Sequence, residues 1–164
     1  MNTMRNPAPP LSRWPRLAAA VLPVLLTWGA ASIGTPAGMD WYQTLTKPDF
    51  TPPGWVFGPA WTLLYAFMIY VAWRLLGLPE SRGRTRALVI FYGQLVLNAG
   101  WSFAFFYAQS PIGGLVVIAA LTACVLAAIR VFWPIDRLSG ILFIPYALWL
   151  FFAGAINLGI VILA

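Results

Sequence analysis

The stretch IGGLVVIAALTACVLAAIRVF, residues 112–132, holds no charge before Arg130 and no hydroxyl but that of Thr122. Its apolar character runs on for about 20 residues, the length a helix needs to cross a hydrocarbon core roughly 30 Å thick. A membrane-crossing strand would instead alternate apolar and polar residues over about 10 positions. Four more runs of the same kind flank it, at Trp14–Ile33, Trp55–Leu76, Ala87–Ala108 and Leu138–Leu163. The predicted fold is therefore an all-α integral membrane protein, a bundle of five transmembrane helices. It forms a single domain over residues 14–164, behind a flexible, proline-containing N-terminal tail at 1–13. Arginines before span one and small residues after it resemble a cleaved signal peptide, but the run is long for one and reads as a span.

Composition leads to the same class. The chain is 61% hydrophobic and 9% charged, which leaves too little charged surface to cover a soluble domain. The few charges are also sorted. With five spans, Arg5, Arg13, Arg16, Arg74, Arg82, Arg84, Arg86, Arg130 and Arg137 share one side, and Lys47 stands alone on the other. Counting Glu80 and Asp136 on the first side and Asp40 and Asp49 on the second leaves +7 against −1. Such asymmetry places the N-terminus in the cytoplasm and the C-terminus outside, in what reads as a bacterial cell membrane. The basic excess thus sets topology, beside anionic lipid, and does not indicate nucleic acid.

The connections are short except the first, about 20 residues from Gly34 to Gly54. Trp41, Tyr42 and Phe50 in it need something to pack on, so it is expected to be a partly ordered lid. Pro52 and Pro53 restrict the chain where it turns into span two. Pro111 suits the first turn of span four.

Tryptophan and tyrosine gather at membrane interfaces, and Trp14, Trp55, Trp73 and Trp133 near span ends fit such belts. Others recur at helical spacing together with amides. Gln94, Asn98, Trp101 and Phe105 make one stripe, Tyr146, Trp149, Ala153 and Asn157 a second, and Trp61, Tyr65 and Met68 a third. An unpaired amide in hydrocarbon costs several kcal/mol, so these stripes should face the bundle interior. They could glue helix to helix, or they could line an aromatic pocket suited to a flat, apolar ligand with a polar edge. Gly100, Ala104 and Ala108 form a small-residue ridge for close contact, within the bundle or between protomers.

No catalytic constellation is visible. The chain has no histidine, and its one cysteine, Cys124, lies in mid-span, so no metal site, disulfide or histidine haem ligand is expected. The spans also lack a carboxylate pair.

Three separated motifs resemble the translocator protein or tryptophan-rich sensory protein family (TspO/MBR). They are WYQTLTKPDFTPPGWVFGPAWTLLY at 41–65, NAGWSFAFF at 98–106 and PYALWLFFAGAIN at 145–157. The resemblance implies a compact five-helix bundle, usually homodimeric, that binds porphyrins and isoquinoline- or benzodiazepine-like ligands beneath the first loop. It carries ligand contacts to Trp101 and Trp149, with Asn98 and Trp61 also lining the cavity; Trp41 and Phe57 belong to the same motif. No cofactor is required, and porphyrin is expected as ligand. Asp49 and Phe50 depart from the family, many of whose members have a tryptophan after the motif lysine. Residues up to Ala164 offer no tyrosine and basic residue after span five, so sterol binding through that motif is not expected.

The resulting reading is a receptor or sensor of tetrapyrroles linked to porphyrin metabolism or stress signalling. Two alternatives are a light-dependent porphyrin-degrading enzyme, with Trp61 and Trp149 meeting the excited macrocycle, and a transporter of porphyrin or another amphipathic solute. The transporter reading is weakened because no internal repeat is found.

Overall fold

The computed structural model describes residues 12–164. The expected tail therefore falls outside the described residues, except for Ser12 and Arg13, and Arg13 already opens the first helix. The helices are α1 (Arg13–Ala37), α2 (Met39–Thr44), α3 (Phe57–Leu76), α4 (Arg82–Ser102), α5 (Pro111–Phe132) and α6 (Arg137–Leu163). A 3-10 turn at Gly54–Val56 leads into α3, and a π-helical turn at Phe103–Tyr107 continues α4. All but α2 are long and apolar enough to cross a membrane.

The spans extend beyond the apolar runs at several ends. Helix α4 starts at Arg82 and not at 87, because Ser81 accepts a hydrogen bond from the Arg84 N–H (3.1 Å) and caps it. Arginine is a good helix former, and its long side chain reaches headgroup depth from inside the helix. Likewise Ser110 accepts from Gly113 N–H (3.0 Å) and Pro111 occupies the first turn of α5.

The five spanning helices close a ring in the order α1, α3, α6, α5, α4, with α4 also touching α3. Burial is inside and apolar side chains cover the outside: Leu26, Val96 and Ile162 are each more than 70% exposed, as a lipid-facing surface requires. Gly100 faces Val117 of α5, so the small-residue ridge serves contact within the bundle at that point.

Charges pin the arginine-rich end. Arg74 at the end of α3 makes a two-pronged ion pair with Asp136, Nε to Oδ2 at 2.8 Å and Nη2 to Oδ1 at 2.7 Å. Ser139 also donates to this carboxylate. The Arg74 guanidinium, followed by the Ser139 hydroxyl, holds the Asp136 carboxyl below its ordinary range, against the opposing effect of burial. Arg16 lies 4.0 Å above the Trp73 ring and donates Nε to the Trp73 carbonyl (2.8 Å), fastening α1 to α3. Trp73 is thus a cation-π partner, whereas Trp14 and Trp55 are about three-quarters exposed, as belt residues are.

The first loop is more ordered than its composition suggests. Helix α1 runs on to Ala37, α2 follows after Gly38, and beyond that glycine only residues 45–53 lack helix. Lys47 donates Nζ to the carbonyls of Tyr42 (2.9 Å), Leu45 (2.9 Å) and Gln43 (3.4 Å), capping α2, and lies 4.8 Å from the Tyr42 ring. Two glycines permit the lid to touch the bundle. A Cβ on Gly38 would come within 2.1 Å of the Phe106 carbonyl oxygen, and one on Gly159 within 2.2 Å of Pro48 Cγ.

Candidate functional site

Beneath α2, at the end away from the arginines, the halves of α1, α3, α4 and α6 surround a cavity of about 510 Å3. Its walls include eight residues expected from the sequence: Phe57, Trp61, Tyr65, Asn98, Trp101, Phe105, Ala153 and Asn157. None of its lining residues is Asp, Glu, Lys or Arg. The space is within the range of small-molecule sites and is mostly apolar, with eight aromatic residues and a few polar groups in its lining.

Four expected wall residues stand elsewhere: Trp41, Gln94, Tyr146 and Trp149 do not line the cavity. Trp41 sits in α2 with its ring edge-on to Phe105 at 5.5 Å. Gln94 and Tyr146 are buried below the floor in a hydrogen-bonded chain. Tyr65 OH donates to Asn98 Oδ1 (2.9 Å), Asn98 Nδ2 to Tyr146 OH (2.9 Å), and Tyr146 OH to Gln94 Oε1 (3.0 Å). Gln94 Nε2 ends the chain at Met68 Sδ (3.9 Å). The chain satisfies three buried side chains from α4 and α6, which also meet through the Phe91 and Phe143 rings (6.1 Å), and fixes Asn98 and Tyr65 in the cavity wall. Trp149 lies behind Trp61 and Phe57, with ring centroids 6.3 and 5.7 Å away.

The π-helical turn supplies the seat on which the lid rests. Ala108 N–H bonds to the Phe103 carbonyl (2.8 Å), and the widened turn buries consecutive Phe105 and Phe106. Trp101 stacks on Phe105 at 5.5 Å and 16°. Tyr42 closes over both phenylalanines, and burial pushes its phenol up, so it remains protonated.

Two polar atoms at the cavity lack partners among the described residues: Trp101 Nε1 and Asn157 Oδ1. Asn157 donates Nδ2 to the Pro111 carbonyl (2.8 Å) and so ties α6 to α5, while its Oδ1 is buried against Gly114 of α5. Trp149 Nε1 is also buried and unpartnered. Unmatched donors and acceptors in a low-dielectric wall favour a ligand that supplies the missing groups.

Sequence reading missed the contribution of α1. Trp28, Ser32 and Thr35 line the cavity, at the i, i+4, i+7 spacing that had marked the other stripes. Trp28 and Ser32 on α1, with Gly58 and Thr62 on α3, are all exposed. The cavity therefore opens sideways between these helices, which Arg16 and Trp73 hold together only at the far end.

Ring topology, apolar exterior and a neutral, laterally open cavity among the helices define a multi-pass membrane protein. The family model of the TspO/MBR family matches residues 19–163. The chain is 40% identical to "Tryptophan-rich protein TspO" of Archaeoglobus fulgidus, over 90% of this chain and 96% of that protein. It is 37% identical to "Protein CrtK" of Rhodobacter capsulatus, over 73% and 76% of the two chains. With "Translocator protein" of Bos taurus it shares 34% identity over 92% and 89%. This chain belongs to the TspO/MBR family.

Proposed function

We propose that the protein is a membrane receptor that senses tetrapyrroles such as protoporphyrin IX, and similar flat apolar molecules, by enclosing them in this cavity. The observation that carries the reading is the pairing of stacked aromatic walls with the unpartnered Trp101 indole N–H and Asn157 carbonyl oxygen. A flat ring system offers a face to the Trp101–Phe105 wall and, once these side chains adjust, heteroatoms to those two groups. With no charged wall residue, carboxylates on such a ligand stay at the opening, beside the Ser32 and Thr62 hydroxyls.

The test is titration of the full-length protein with protoporphyrin IX, followed by tryptophan fluorescence. Saturable quenching is expected, weakened about tenfold in Trp101→Leu and Asn157→Leu, since each loses roughly 1–2 kcal/mol of contact; Asn157→Leu also loses its bond to Pro111 and should melt about 2–4 °C lower while staying folded. Undiminished binding in both variants would refute this site. We also propose a homodimer, as the family resemblance implies, to be checked by light scattering in detergent.

One observation favours a photochemical second reading. Trp61 touches the cavity, lies over Tyr65 at 5.7 Å with the planes inclined by 30°, and meets Trp149 at 6.3 Å, a contiguous set of oxidisable rings. Illuminating bound protoporphyrin tests it: faster bleaching than in empty micelles, slowed in Trp61→Phe, supports turnover, and equal bleaching leaves a receptor alone.

A further inference from the structure

At the end of the molecule remote from the cavity, the start of α4 borders an open depression of about 1260 Å3. Its polar part is formed by Ser81, Arg82, Arg84 and Thr85, with Glu80 beside them. Arg84 is the unusual member. Its side chain is only 10% exposed, and its Nε is buried with no hydrogen-bond partner among the described residues. The terminal nitrogens reach Glu80 Oε1 at 3.5 Å and the Leu76 carbonyl at 3.4 Å, both long contacts. A guanidinium carries five donors, and a buried one so weakly matched lacks an acceptor.

The helix adds to this demand. Ser81 Oγ satisfies the Arg84 N–H, while the N–H groups of Arg82 and Gly83 precede the first intrahelical acceptors and sit at the positive end of the helix dipole. Arg82 is exposed beside them. Glu80 is 54% exposed and free to turn away from Arg84.

From this polar end the depression continues over Leu88, Val89 and Tyr92 along the outer face of α4. Val89 is 67% exposed, and the Tyr92 hydroxyl is already bound to the Ala19 carbonyl (3.0 Å), so this stretch presents hydrocarbon and an aromatic ring. A partner here needs an oxyanion with several acceptors joined to an apolar chain. The depth also fits, because α4 passes from the arginine-rich end into its membrane span along these residues.

We infer that this depression binds one anionic phospholipid of the arginine-rich leaflet. Its phosphate takes the place of Glu80 on Arg84, and is joined by Arg82 and the α4 N-terminus. An acyl chain lies along Leu88 and Val89.

The test uses the full-length protein in mild detergent, with bound lipid counted by native mass spectrometry. Phosphatidylglycerol is compared with phosphatidylcholine of identical acyl chains, and inorganic phosphate is added as a competitor. One phosphatidylglycerol should be retained, about fivefold over phosphatidylcholine, the effect of roughly one basic residue at an anionic surface. Arg84→Gln, Arg82→Gln and Val89→Glu should each lower retention by a similar factor. Arg82 and Val89 are exposed, so their variants should fold with unchanged melting temperature and keep the test valid if loss of Arg84 disturbs the bundle. Arg137→Gln, an exposed arginine at the same end, should leave retention unchanged. Equal retention of the two lipids, or an equal loss in Arg137→Gln, would overturn the assignment, as would displacement of the lipid by millimolar phosphate.

Discussion

Replacing Asn98 with leucine cuts the buried chain that joins α3, α4 and α6 at its middle. Asn98 accepts from Tyr65 and donates to Tyr146, both at 2.9 Å. The Tyr65 hydroxyl is then left buried without an acceptor, while Tyr146 keeps its bond to Gln94 (3.0 Å). Two hydrogen bonds within a membrane protein, at about 0.6–1.7 kcal/mol each, come to about 1–3 kcal/mol. For a chain of this size each kcal/mol lowers the melting temperature by about 2–4 °C, giving a fall of about 2–12 °C. Cys124, the only cysteine, is half-buried in α5 and allows a thiol-reactive dye to follow unfolding in detergent. The decisive comparison is Asn98→Leu, Tyr65→Phe and the double variant. Because the two side chains share one bond, their effects should fall short of additivity by at least about 0.5 kcal/mol. Strict additivity, or an Asn98→Leu protein that melts no lower than the parent, would refute the view that this chain braces the cavity floor.

The Arg74–Asp136 pair predicts an acid-sensitive step. A carboxyl held low in the folded state stabilises above its ordinary range, and that contribution disappears as pH falls through the lowered value. Asp136→Ala should cost about 1.5–3 kcal/mol at neutral pH and flatten the acid limb of melting temperature against pH; an unchanged limb would show the pair to be inert. Gly159→Ala drives a methyl into Pro48, so hydrogen exchange in residues 45–53 should rise about tenfold while the helices keep their protection. Gly58 has open space where a Cβ would stand, at the mouth between α1 and α3. Gly58→Trp should slow both association and dissociation of protoporphyrin IX about tenfold with little change in Kd, whereas unaltered rates would place the access route elsewhere.

The spanning helices were legible because hydrocarbon tolerates so few exceptions: runs such as 112–132 leave no other reading. Seven cavity residues were legible from the helical spacing of the aromatic and amide stripes, and Phe57 from the family motif. The stripes could not tell a wall from the layer behind it, since Tyr146 and Trp149 share a helix face with Ala153 and Asn157 yet meet different neighbours in the ring. Helix α2 was hidden because six residues are too few to show a period. The π-helical turn left no signature either, as FAFFY is apolar in either register. The lateral opening was missed because Trp28, Ser32 and Thr35 lie in a span otherwise as apolar as its lipid surroundings.

The opening between α1 and α3 changes what concentration means for this protein. A guest that reaches the cavity through the side of the bundle is drawn from the lipid phase, where an amphipathic compound accumulates far above its level in water. Occupancy then follows mole fraction in the membrane. A binding curve plotted against total aqueous ligand should accordingly shift in proportion to the amount of lipid supplied, and collapse to a single curve once the abscissa is ligand per lipid.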